Sequence, residues 1–228
     1  METFFLLNRW LHITAGFIGF FVAPLALAVR KGGPAHRLWG QVFFWAMVVA
    51  GLTSLAGAVH IHSAFLLLTG IFSLYMAVFG YRSLYLKQLS QGGRAPLIDW
   101  LSAGLGLLVF LGTTAYGLRQ GNVPAAVFGG LGILTTSRQL LGFRRAGSWA
   151  PAQWLHNHIS GFLASYIAAV SAFSATSLTF IPFPFNFLWP TLLGVPAIFW
   201  WQARVRKGRL AANSEQLIVN SEQLAVSS

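Results

Sequence analysis

The 228 residues predict an all-α fold, a polytopic bundle of about seven transmembrane helices, with the amino terminus outside and the carboxyl terminus in the cytoplasm. Three observations lead there. Only 8% of the residues are charged and 56% are hydrophobic. A soluble globule carries about 25% charged residues because its exterior must be wetted. The apolar residues are gathered into seven runs, each near the ~20 residues a helix needs to cross the hydrocarbon layer. The basic residues fall in alternate connections between those runs, as expected of a chain threaded back and forth through a bilayer.

The runs extend over Phe4–Val29, Leu38–Ala58, Ser63–Leu86, Leu97–Leu118, Val123–Leu141, Trp154–Leu178 and Phe185–Ala203. In lipid a segment must satisfy its own backbone hydrogen bonds, so each reads as a helix. The first run is not a cleavable signal. Ala26-Leu27-Ala28 imitates a cleavage site, but the apolar region is too long and no basic residues precede it. Arg30 and Lys31 end it.

Arg30, Lys31 and Arg37 follow run one, and Arg82, Lys87 and Arg94 follow run three. Arg138, Arg144 and Arg145 close run five, and Arg204, Arg206, Lys207 and Arg209 follow run seven. Only Arg9 and Arg119 belong to the opposite face, so 13 of 15 basic residues share one side. That side is cytoplasmic by the positive-inside rule. Trp39, Trp100, Trp149, Trp154, Trp200 and Trp201 sit near the inner ends, with Trp10 and Trp189 near the outer, as interfacial anchors. The net charge of +11 is thereby a topology signal, and the partner it implies is the lipid bilayer, with no nucleic acid.

Residues 1–209 form one transmembrane domain. Residues 210–228 differ: Asn213-Ser214-Glu215-Gln216-Leu217-Ile218-Val219 repeats as Asn220-Ser221-Glu222-Gln223-Leu224-Ala225-Val226. Two heptads are too few for a coiled coil, so a disordered or frayed cytoplasmic tail is expected.

Small residues mark helix contacts in lipid. Run two has Ala46, Ala50, Ser54 and Ala58 at four-residue steps, and run six has Ser160, Ala164, Ala168, Ala172 and Thr176. In run one Arg9, His12, Gly16, Gly19 and Ala23 form a single stripe, placed inward because Arg9 and His12 would be costly against lipid.

The absence of cysteine excludes disulfides, iron–sulfur clusters, thiolate metal sites and a Cys nucleophile. No phosphate-binding glycine loop, nucleophile elbow, zinc-protease motif or paired-carboxylate site occurs, so hydrolysis has no support and no catalytic residue is assigned. Six histidines remain. His12, His60 and His62 lie towards the outer face, and His36, His156 and His158 towards the inner. Gly16, Gly40 and Gly161 stand about one turn from His12, His36 and His158. A glycine there leaves a shelf that a flat macrocycle held by the imidazole could occupy, and haem iron accepts imidazole. Haem b is the cofactor this pattern admits, with Arg9 and Arg37 available to its propionates. The plainer alternative is that these histidines only hydrogen-bond neighbouring helices. His156 and His158 point to nearly opposite sides of a helix and cannot chelate one ion. His60 and His62 lack a carboxylate or thiolate to complete a metal site. Asp99 is the one acidic residue close to the runs. A proton-linked carrier would use it, whereas its place at a helix start beside Lys87 and Arg94 reads as dipole complementation and charge pairing.

Several strings, in order, resemble an uncharacterised family of multi-span bacterial membrane proteins of the domain-of-unknown-function kind. They are Lys31-Gly32-Gly33 with His36-Arg37, Gly40 and Met47; Gly80-Tyr81-Arg82; Asp99-Trp100; and His158-Ile159 with Ser165-Tyr166-Ile167-Ala168 and Ala172-Phe173. The resemblance covers roughly residues 9 to 207. It implies a bacterial inner-membrane protein and brings no established activity. It ranks His12, His36, Arg37, Asp99 and His158 above His60, His62 and His156. A looser similarity to di-haem transmembrane cytochromes implies histidine ligands near each membrane face, although those proteins differ in span number and His36 is shallow for a ligand. The functional expectation is transmembrane electron transfer through b-type haem. The alternatives are a proton-linked small-molecule transporter and a non-catalytic structural or assembly protein.

Overall fold

The computed structural model describes the backbone of residues 2–145 and 149–226, with side chains through residue 207. Among these, seven α-helices follow one another: α1 (Glu2–Ala28), α2 (Pro34–His60), α3 (Ala64–Arg82), α4 (Leu97–Arg119), α5 (Val123–Arg144), α6 (Gln153–Ser177) and α7 (Phe185–Val226). No strand is present among the described residues. Five of the helices, α1, α2, α3, α4 and α6, are long and apolar enough to cross a membrane. In α5 the polar run Thr135-Thr136-Ser137-Arg138-Gln139 dilutes the apolar content, and in α7 Asn186, two prolines and Gln202 do the same.

Local chemistry sets the helix ends. Pro34 opens α2, where its missing N–H is no loss. Ser63 and Asn122 cap α3 and α5 by accepting from Leu66 N and Ala125 N. Gly121, at a φ of 62°, makes the left-handed turn between α4 and α5. Pro24, Pro190 and Pro196 lie inside helices. After α3 the chain tightens into two short 3-10 turns, Ser83–Tyr85 and Lys87–Gln91. The third run is expected to continue helically to Leu86. Backbone bonding at Ser83–Leu86 instead follows the three-residue pattern, and Leu86 and Leu89 turn into the core beside Ala103, Phe143 and Trp149. The backbone of α7 is helical to Val226. Side chains from 208 onward, and with them the tail expectation for 210–228, lie outside the described residues.

Helices α3 and α6 form the centre. The α1–α2 hairpin packs on one side through α2–α3 and α1–α6 contacts, the α4–α5 hairpin adjoins α3, and α7 lies along α6. Phe72, Met76, Phe79, Phe110, Phe128, Ala168 and Phe187 form the main core. The small-residue ridge of α2 is buried as expected at Ala46, Ala50, Ser54 and Ala58. In α6 the buried face is displaced from the expected ridge: Gly161, Ser165, Ala168, Ser171 and Ser174 are innermost, and Thr176 is exposed. The displacement has two causes. A Cβ on Gly161 would collide with the backbone of Gly80 and Met76, so the glycine pair is where α3 and α6 approach most closely. Ser165 then donates to Ser73 O across the same contact.

The outward side chains suit oil. On α4, Leu97, Leu101, Leu105, Leu108 and Leu118 are each more than 60% exposed. An apolar face of this extent, with no charge across its middle, is far beyond the scattered patches a soluble monomer exposes.

Candidate functional site

At the end of the bundle where α1, α3, α5 and α7 finish, two histidines converge. His36, in the first turn of α2, and His158, in the second turn of α6, have ring centroids 6.4 Å apart and planes at 82°. Each binds the spare carbonyl of another helix's last turn through Nδ1: His36 to Ala26 O of α1 at 3.0 Å, His158 to Gly80 O of α3 at 3.1 Å. The last four carbonyls of a helix have no intrahelical donor, so these rings close two helix ends. A carbonyl can only accept, which puts the hydrogen on Nδ1 and leaves the Nε2 lone pair available in each neutral ring. Two helix C-termini beside the pair also bias the site towards positive charge.

His12 repeats this arrangement at the other end. Its Nδ1 lies 2.9 Å from Ala50 O and 3.2 Å from Thr53 Oγ1, while Asn8 donates to Thr53 O, binding α1 to α2. A cavity of about 730 Å³ adjoins it, with Glu2, Arg9, Thr53 and His60 among its walls. Fourteen residues separate His12 from Ala26 on α1, so the two histidine centres are about 21 Å apart along the helix axis. From the inner centre a series of aromatic contacts runs part of the way, His158 to Phe162, Phe162 to Phe43, Phe43 to Tyr166, and Tyr166 to Phe20, with centroids 4.7–6.4 Å apart, and ends eight residues along α1 from His12.

The glycine shelves separate into two kinds. A side chain on Gly16 or Gly40 would meet nothing within 4 Å, so the space beside His12 and His36 is open. The expected shelf beside His158 is closed: Gly161 is filled by α3, because the close helix contact there uses the missing side chain.

Arg9 corrects the inward stripe. It is exposed at the cavity rim, because the first two turns of α1 stand clear of the core, and burial begins at Ala15. Arg37 is exposed and donates to Gly32 O at 3.1 Å. Lys31 closes the end of α1 by donating to Ala26 O and Leu27 O and lies over the Trp201 ring. His60 stacks on Phe5, and His62 sits in a left-handed turn at φ 51°. Among the described residues no group of three or more His, Asp or Glu converges on an ion site.

Asp99 is 2% exposed and forms a two-point pair with Arg82, Nε to Oδ1 at 2.9 Å and Nη2 to Oδ2 at 2.7 Å. Its partner is therefore Arg82 at the end of α3, not the nearer-in-sequence Lys87 or Arg94. Lys87 instead lies over the Trp154 ring. Sequence spacing could not find this pair, because the connection between α3 and α4 is folded into 3-10 turns that return the chain to its starting level.

No protein-family model, curated protein or solved structure matches this chain. Its own geometry is what defines its class: a helical protein with an apolar exterior and histidine centres at both ends of the bundle.

Proposed function

We propose that this is a seven-span protein of the bacterial inner membrane, amino terminus outside and carboxyl terminus cytoplasmic, that passes electrons across the bilayer through b-type haem. The inner centre is His36 with His158, and the outer centre is His12 in its cavity. Although less apolar than the other five, α5 lies antiparallel along α4, and α7 lies along α6, which supports counting both as spans. Thirteen of the fifteen basic residues then fall at one end, the cytoplasmic one.

The observation that carries the haem reading is the His36–His158 pair. The two ring centres lie 6.4 Å apart, near enough for His36 and His158 to serve together as ligands of one haem iron, which accepts imidazole. Metal-ligating histidines characteristically give their other N–H to a backbone carbonyl or carboxylate, which fixes ring orientation, and both rings do so here. The open shelf at Gly40 leaves room beside His36 for a macrocycle edge, and Arg37 and Arg9, both exposed, would be available to its propionates. Bound haem supplies a one-electron couple; the protein supplies ligands, an oily surround and part of a path between faces.

The proton-linked transporter is less well supported. Both oxygens of Asp99 are engaged by Arg82, which leaves neither open to a transported proton or substrate.

The test is an absorption spectrum of protein purified after expression with added haem, before and after dithionite. A Soret band with sharpened α and β bands on reduction is expected. The bands of the inner centre should be lost in His36→Ala and His158→Ala and kept in His60→Ala. A colourless wild-type protein contradicts the proposal.

A further inference from the structure

The largest cavity among the described residues, about 1050 Å³, lies between α5 and α7, with α3 and α6 as its floor. Exposed Leu134 and Leu141 of α5 and Phe199 of α7 border it, so its mouth opens on the apolar exterior. Its buried wall consists of Phe72, Met76, Phe79, Ile198, Gln139 and Trp149. Gln139 is 6% exposed, and the Tyr75 hydroxyl donates to its Oε1 at 2.8 Å. That bond fixes the amide and leaves both Nε2 hydrogens without a protein acceptor among the described residues. Trp149 is 8% exposed, and its indole N–H, which can only donate, also has no acceptor among them. Its Nε1 lies against Gly142, where an added Cβ would come within 2.7 Å of it. Gln139 and Gly142 are three residues apart on α5 and share a face, so the two donors border the cavity about one helical turn apart. Other polar groups of the lining are used internally. Gln202 Nε2 donates to His156 O and Ser160 Oγ, Gln153 to Asn157, and Thr135 to Leu131 O. A donor buried in an apolar surround without a partner is costly, and two such donors side by side mark the place of an acceptor.

We propose that this cavity takes a lipid-soluble quinone, its ring along the aromatic wall and a carbonyl oxygen accepting from Gln139 Nε2 and Trp149 Nε1. Three features select this occupant. The mouth faces lipid, so the ligand enters from the bilayer. The buried donors are neutral, and the arginines of the lining, Arg138, Arg145 and Arg206, are exposed. The buried wall therefore offers an anion no counter-charge, whereas a neutral carbonyl has two lone pairs for two donors. Phe72, Phe79 and Trp149 suit a flat conjugated ring better than a saturated chain. Ser160 and Ala164 face the cavity from α6, while His158 leaves the other side of that helix to meet Gly80 O, about 10 Å across. Electron exchange with the inner centre would rest on the haem reading; the binding itself does not.

Native mass spectrometry of the full chain in a neutral detergent tests it. The probes are decylubiquinone, the same ring and tail with methoxy groups in place of both carbonyls, and palmitate. One quinone per chain is expected, bound at least about tenfold more tightly than the carbonyl-free analogue. Q139M and W149F, which remove one donor each, should weaken binding about fivefold. T135V, on the same wall but with its hydroxyl already given to Leu131 O, should not. Competition between quinone and analogue on the wild-type chain requires no variant to fold. Quinone bound to a colourless protein sinks the haem reading alone, and a coloured protein that ignores quinone sinks this one alone. Equal binding of quinone and analogue, tighter binding of palmitate, or equal loss in T135V would each overturn the proposal.

Discussion

Three histidines in this chain each commit Nδ1 to the backbone of another helix and leave Nε2 without a protein partner among the described residues. Their glycine neighbours and their division between the two faces were legible in the sequence. Their partners were not, because Ala26, Ala50 and Gly80 contribute only carbonyls, and a carbonyl is the same in every residue. The Arg82–Asp99 pair is illegible for a related reason: seventeen residues and two 3-10 turns separate its members. The pair's asymmetry has a measurable consequence. Asp99 is 2% exposed but the Arg82 side chain is 31% exposed, so the arginine can reach polar surroundings if left alone and the carboxylate cannot. Arg82→Met should therefore cost about 3 kcal/mol or more, as stranded buried charges do. Asp99→Asn, which keeps the shape and two polar atoms, should cost less, about 1.5–3 kcal/mol. Unfolding midpoints in detergent check the order, and equal costs would argue against it.

At the scale of elements, helix positions followed closely from the lengths of apolar runs. The expected Val123–Leu141 and Trp154–Leu178 correspond to α5 at Val123–Arg144 and α6 at Gln153–Ser177. What sequence reading misjudged was rotation. In α6 four-residue steps of alanine pointed to one ridge, but the helix turns so that Gly161 and Ser165 meet α3. Alanine is small whichever way it faces, so an alanine ridge ranks faces weakly, whereas a glycine that admits another backbone ranks them strongly. Gly161→Ala places a methyl group against the backbone of Gly80 and should cost about 1–3 kcal/mol through overpacking. Gly16→Ala, with open space around it, should be neutral or slightly stabilising, since alanine is the better helix former. Denaturation of the two variants side by side reads the difference. A neutral Gly161→Ala would mean that α3 and α6 do not meet at this point.

For the molecule as a whole, the account rests on one proposed arrangement: an apolar bundle with its basic end, and hence His36 and His158, on the cytoplasmic side. The proposed electron path inherits its sidedness from it. The chain has no cysteine, so single cysteines can be introduced without background. Gln120 and Gln91 are exposed at opposite ends of α4, Gln120 just beyond its carboxyl end and Gln91 in the turn before its start. In intact cells a membrane-impermeant maleimide should label Gln120→Cys, and it should reach Gln91→Cys only after the inner membrane is broken. Labelling of Gln91→Cys alone in intact cells would invert the protein, and equal labelling of both there would mean that α4 does not cross.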